Sequence, residues 1–251
     1  MTDFSYQLYS SRNFPPLSDT LRMLAGLGYA RVEGFGALLN DPETVAVLKD
    51  GLAETGLEMP TSHVDLGVLA ENPNRVIAIA QSLGVETLFG PHVGPPERPT
   101  DAAGWAAYGK RLGELAKPLW DAGIGFGWHN HDFEMADIGG EDRPLDLILQ
   151  GHDDLLLELD VAWVQVGGLD PLAWITKYSD RLHAIHVKDI APEGDCADED
   201  GWADVGHGVM DWAALIGAAR QSAAKHFVME HDNPSDHQRF AARSLASAQS
   251  F

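Results

Sequence analysis

Between His129 and Glu134 the chain reads His-Asn-His-Asp-Phe-Glu, two imidazoles and two carboxylates within six residues. These groups bind divalent cations through nitrogen and oxygen, and they carry protons in acid/base catalysis. The residues before them alternate. In GIGFGWHNHDFEM (123–135), Ile124, Phe126 and Trp128 fall on one face and Gly125, Gly127, His129 and His131 on the other. That is a strand with an apolar back and a front that is bare until it ends in imidazoles.

Other segments repeat the pattern. Glu158 and Asp160 share a face in LLLELDVAWV, opposite Leu157, Leu159 and Val161. His186 and Lys188 share one in RLHAIHVKDI, opposite Ile185 and Val187, and Glu230 lies opposite Phe227 and Met229 in HFVMEHD. Earlier segments end at Glu33, at His63 and Asp65, and at His92. A single titratable residue at a strand end is ordinarily a cap or a solvated group. The same parity on successive strands is not explained that way. If the strands are parallel and converge, their ends form a site for one divalent metal ion with nitrogen and oxygen ligands: Mn, Mg, Zn or Co. Without such an ion the packed carboxylates would repel and take up protons.

The elements needed to bring these tips together are present along the whole chain. Strands are predicted at 4–10, 30–36, 57–66, 87–93, 123–131, 155–164, 181–190 and 226–232, alternating with amphipathic helical segments. Asp41-Pro42 opens one helix, Gly84 closes another, and Trp105, Tyr108, Leu112, Leu115 and Leu119 mark a long one. Eight β/α units over 251 residues predict an α/β fold, a (β/α)8 TIM barrel forming a single domain over residues 1–251. In such a barrel the functional site lies at the C-terminal ends of the strands. No GxGxxG follows the first strand and no GxxxxGK[ST] occurs, so neither nucleotide-binding fold has support.

Composition narrows the function. A net charge of −21 without a basic cluster argues against nucleic acid as partner. Cys196 is the only cysteine, which excludes an intrachain disulfide and a zinc–thiolate cluster. No apolar run is long enough for a membrane span and the start lacks signal-peptide features, so a cytoplasmic protein is expected. A homodimer is expected only from the prevalence of dimers. The acidic segment 193–204 should overhang the site. A solvated loop is its ordinary reading, and Trp202 and His207 are the reason to consider a lid.

LYSSRNFPPLSDTLRMLAGLGYARVEG, LELDVAWVQVGGLDP, RLHAIHVKD and DVGHGVMDW together resemble the xylose isomerase-like TIM barrels. That is the sugar phosphate isomerase/epimerase superfamily, which includes inosose dehydratase and endonuclease IV. The resemblance implies one metal ion held by side chains of the last four strands. Asp160, His186 and Glu230 match three of the ligands. At the fourth, where the family commonly has Glu, this chain has His129. Members with an HNHDFE-type tip point to Glu134, with His129 as the alternative ligand or else a substrate contact. The implied chemistry is enolisation of a small-molecule sugar or keto-sugar, phosphorylated or not. His131 is the first candidate base and Glu158 the second; Lys188 would donate to the developing oxyanion. His63 and His92 would hold hydroxyls, and Trp163 or Trp202 would cover a sugar face. An isomerase or epimerase is expected. A dehydratase or lyase on a keto-inositol or 3-keto-glycoside is the alternative, ahead of an endonuclease IV-like phosphodiesterase or a non-catalytic sugar-binding barrel.

Overall fold

The computed structural model describes residues 4–251. Eight parallel strands close into a barrel: β1 (Phe4–Gln7), β2 (Arg31–Gly34), β3 (Glu58–His63), β4 (Thr87–Gly90), β5 (Gly125–His129), β6 (Leu156–Asp160), β7 (Leu182–Val187) and β10 (His226–Met229), which pairs back with β1. Two further short strands, β8 (Asp189–Ile190) and β9 (Trp202–Ala203), form an antiparallel ribbon beside it. The helices in chain order are α1 (Leu17–Leu27), α2 (Gly36–Asn40), α3 (Pro42–Thr55), α4 (Leu66–Glu71), α5 (Pro73–Leu83), α6 (Ala102–Asp121), α7 (Pro144–Leu149), α8 (Val161–Val166), α9 (Pro171–Lys177), α10 (Trp212–Ala219) and α11 (His237–Ala248). None is long and apolar enough to cross a membrane.

Local chemistry sets the helix boundaries. Asp41 accepts from the Thr44 N–H at 2.8 Å ahead of Pro42, and Gly84 adopts φ +76 to end α5. The outward parity of the strands is apolar and buried: Leu157 and Leu159, Ile185 and Val187, Phe227 and Met229 pack among Leu48, Leu112 and Phe240 from the helices. Burying each such side chain contributes about 1.5–3 kcal/mol.

The inward parity carries the polar residues. The register Gln7↔Glu33, Glu33↔Thr61, His63↔Phe89, His129↔Glu158 and Asp160↔His186 puts these side chains on one continuous inner surface. Phe89 fills the barrel beneath them, which explains the bare front of β5: a Cβ at Gly127 would collide with the Leu156 carbonyl oxygen and the Phe89 ring. At the opposite, N-terminal end His183 Nε2 meets Thr87 Oγ1 at 3.1 Å, and the His183 and His226 rings lie 5.2 Å apart.

All eight strands are shorter than their sequence patterns suggest, and at two of them the early end redirects a carboxylate. The sixth does not run to Val164; it stops at Asp160, whose carboxylate accepts the Trp163 N–H at 2.9 Å and starts α8. The seventh breaks at Lys188, and Asp189 does not face the mouth. Its buried carboxylate accepts from the backbone N–H groups of Ile190 (2.9 Å), Met210 (3.1 Å), Gly206 (2.8 Å) and Gly208 (3.1 Å), and from Trp212 Nε1 (2.8 Å). The acidic segment is likewise fastened down. Arg239 reaches Glu199 at 2.7 Å and Asp204 at 3.1 Å. His207 is turned away from the site toward α11, where Arg243 Nη2 donates to its Nδ1 at 2.9 Å.

Candidate metal centre

His129 ends β5, Asp160 ends β6, His186 is on β7, and Glu230 follows β10 directly. Each of the four buried side chains offers one ligand atom, and these atoms lie within 4.8 Å of one another. His186 Nδ1 is 2.8 Å from Glu230 Oε2 and 4.0 Å from Asp160 Oδ2. Asp160 Oδ1 is used by the Trp163 N–H, but Oδ2 is buried without a hydrogen-bond partner. An orphaned carboxylate oxygen is costly unless something positive meets it. Two imidazoles and two carboxylates are a donor set for a divalent cation of the Zn, Mn or Co class, so these residues fit the metal ion the sequence implies.

The electrostatics agree with that fit. Burial pushes the Asp160 carboxyl up to about 7. Burial would also raise Glu230, but His186 and Lys188 hold it well below the usual carboxylate range. Burial alone would depress His186; Glu158 and Glu230 instead carry it well above an ordinary histidine. That imidazolium proton supplies positive charge among carboxylates which a bound cation would otherwise provide.

A second group, His63, His129, Glu158 and His186, meets the same distance criterion one layer deeper. Its histidines already face carboxylates. His63 Nε2 donates to Glu158 Oε2 at 2.7 Å, His129 Nδ1 lies 3.4 Å from the same oxygen, and His186 Nε2 donates to Glu33 Oε1 at 2.8 Å. Gln7 Nε2 donates to that Glu33 oxygen too, at 2.8 Å. Burial and the Glu158 charge raise Glu33 to about 7. Burial would raise Glu158 as well, but His186 and His63 keep it well below normal. Hydrogen bonds of this kind fix ring orientation beneath a metal-binding layer.

Above the centre opens a cavity of about 470 Å³, within the range of small-molecule sites. His63, His92, His129, His131 and Trp163 line it, with Tyr9 and Phe35, and with Glu230 and Asp232 as its carboxylates. His131 is held neutral: burial, then His129 and Lys188, press it well below its usual range, and its buried Nδ1 has no partner. His92 Nε2 accepts from Arg98 Nη2 at 3.0 Å, which leaves its Nδ1–H as donor.

Three expected residues stand elsewhere. Glu134 is not brought to the centre. It sits in a 3-10 turn, Asp132–Met135, with Oε1 accepting from Trp128 Nε1 at 3.0 Å and Oε2 from the His131 N–H at 2.8 Å. His129, the alternative ligand, occupies the fourth place instead. Glu158 is fully buried and does not line the cavity. Nor does Lys188, which is clamped 2.6 Å from Asp232 and 3.5 Å from Glu230, with Trp163 and Trp202 ring centroids 4.8 and 4.3 Å from its Nζ. Sequence reasoning passed over Gln7, and it gave Glu33 and Asp232 no role beyond the strand ends they stand at. The inward parity shared by Gln7 and Glu33 was the available signal.

Known proteins share this architecture. The chain is 27% identical over 196 residues to the rhizopine catabolism protein MocC of Rhizobium meliloti, an alignment covering 70% of this chain and 58% of that one. The chain therefore spans less than two thirds of that relative's length. A sugar phosphate isomerase/epimerase from Parabacteroides distasonis superimposes with a TM-score of 0.80 at 21% identity, covering 98% of this chain and 93% of that one. The IolI protein, solved with a bound zinc atom, superimposes with a TM-score of 0.73 at 14% identity, covering 99% and 96%. The family model described as xylose isomerase-like TIM barrel matches residues 21–249. With that match over most of its length, the chain belongs to the xylose isomerase-like TIM barrel family.

Proposed function

We propose that this protein is a divalent-metal-dependent isomerase or epimerase acting on a sugar or keto-sugar by removing the proton next to a carbonyl. The observation that carries the reading is a two-imidazole, two-carboxylate centre at the floor of a cavity whose wall bears a neutral histidine with an unpartnered Nδ1. Bound to His129, Asp160, His186 and Glu230, the cation would polarise the carbonyl and its neighbouring hydroxyl. His131 accepts the proton, because an uncharged imidazole open to the cavity can act as base. His63 and His92 orient hydroxyls, His92 through its Nδ1–H. Trp163 offers a flat apolar face to the sugar. Lys188 acts through its neighbours, favouring the ionised forms of Glu230 and Asp232 against the burial that raises both, and holding them in place. The P. distasonis relative, a sugar phosphate isomerase/epimerase, supports a carbohydrate role, and the zinc of IolI supports the cofactor.

Return of the proton to the adjacent carbon gives an isomer, return to the same carbon an epimer, and loss of a β-substituent a dehydratase or lyase product. Incubation of metal-loaded protein with a panel of keto-sugars in D2O, followed by NMR, separates the three. Deuterium beside the carbonyl is expected in substrate or product. A panel that yields neither exchange nor product would reject the reading.

A further inference from the structure

TIM barrels that take phosphorylated ligands hold the phosphate in the loops after the last two strands, on unpaired N–H groups at a helix N-terminus. Here the chain's own carboxylates already occupy those N–H groups. After β7, Asp189 accepts from the Gly206 and Gly208 N–H groups among its five donors. Asp211 accepts from the Ala214 N–H at the start of α10, at 3.1 Å. Asp236 accepts from the Gln238 and Arg239 N–H groups at the start of α11, both at 3.0 Å. Asp160 does the same at the start of α8.

The cations near the mouth also have partners, Lys188 a carboxylate and the two arginines neutral acceptors. Lys188 is fully buried against Asp232. Arg98 donates to the Val93 carbonyl at 2.9 Å and to His92, with its guanidinium 3.5 Å from the Phe133 ring centroid. Arg12 donates to the carbonyls of Tyr9 and Asp232 and lies over the Tyr9 ring. Among the described residues, no lysine or arginine lines the cavity. Its charged wall is Glu230 and Asp232, backed by Asp160, and the two charges of a bound cation with that of Lys188 only balance these three. Arg12 and Arg98 keep their charges but do not line the cavity, so no uncompensated cation faces a dianion inside it.

We infer that the substrate is an uncharged sugar, free or glycosidic, and that phosphate esters are excluded electrostatically. The inference rests on the proton-transfer reading for the sugar itself; the exclusion of charge stands on the groups just described. A phosphate close to Asp232 and Glu230 would meet like charges, a juxtaposition that is unfavourable in a desolvated site.

Matched pairs test it: D-fructose with D-fructose 6-phosphate and D-xylulose with D-xylulose 5-phosphate for exchange in D2O, and D-glucitol with D-glucitol 6-phosphate for binding by calorimetry. Each uses the metal-loaded protein. The ester is expected to be processed at least about tenfold less efficiently and to bind no more tightly than its neutral partner. The gap should narrow in high salt and in Asp232→Asn, which frees the Lys188 charge. Esters that are preferred in either assay overturn the inference while leaving proton transfer intact, and they direct attention to Arg12 and Arg98. A gap that ignores salt and Asp232→Asn also overturns it, since exclusion would then be steric. Absence of exchange with every sugar rejects the proton-transfer reading alone, because the glucitol pair still reports on charge.

Discussion

Glu134 and His129 are five residues apart, and the choice between them turns on one tight turn. Parity along β5 identifies inward residues only as far as the strand continues, and at Asn130 it stops. Beyond that point direction depends on hydrogen bonds that a linear pattern does not display: the Trp128 indole and the His131 N–H draw Glu134 under the turn. Asp160, His186 and Glu230 were legible because each lies on a strand, or one residue past it, with an apolar opposite face. Glu33 was less so, since its role needs His186 from across the barrel. Two predictions follow at this scale. Asp160→Asn and Glu230→Gln should purify with little metal, whereas Glu134→Gln should keep the full complement yet lose about 1–3 kcal/mol in denaturant titration, because its amide cannot serve both N–H donors. Metal loss in Glu134→Gln with a wild-type melting curve would return Glu134 to the ligand set. Glu33→Gln should weaken metal affinity about 10- to 100-fold by chelator competition, by loosening the His186 ring, and an unchanged affinity would assign Glu33 to packing alone.

The segment between β7 and α10 is organised around one buried carboxylate. Asp189 follows Lys188 directly, but the break in β7 turns it away from the mouth and into its own loop. Five N–H donors on two oxygens make it a local polar anchor for a stretch whose Trp202, Val205 and Met210 are also buried. The same tertiary contacts explain His207. No spacing rule reveals that Arg243, on the last helix, would claim it. Asp189→Asn removes the charge and leaves several donors competing for one carbonyl oxygen, at about 1–3 kcal/mol for each N–H left unsatisfied. The variant should expose the 190–211 segment, seen as faster limited proteolysis there and as earlier deuterium uptake at Gly206 and Gly208. Since Trp202 in this segment packs against Trp163 at 4.8 Å, substrate binding should weaken as well. Wild-type exchange at both glycines would remove Asp189 from this role.

Across the whole molecule, eight units and their order were readable from alternating periodicity, because parallel strands buried under helices leave a strong apolar signal. The two ends of the barrel differ chemically, and pH exposes the difference. The N-terminal end is closed by His183 and His226, which are neutral when folded. Burial lowers His183 to about 4, helped by His226 and Lys225, and burial with Arg31 lowers His226. In the unfolded chain each histidine titrates near its ordinary value of about 6.5. The unfolded state therefore binds more protons throughout the interval between folded and unfolded values. Their contribution is fully present above about 6.5 and falls away as the pH drops toward 4, amounting for His183 to about 2 kcal/mol after allowance for its partial exposure. Carboxylates at the opposite end also respond to acid, so the informative quantity is a difference between proteins. Urea titrations of the wild type and of His183→Asn at pH 7 and pH 5 should show a smaller loss of stability for the variant, whose amide can still hydrogen-bond to Thr87 but takes up no proton. Equal losses would mean that His183 is already protonated in the folded barrel and that the acid sensitivity of this protein resides at the metal-binding end.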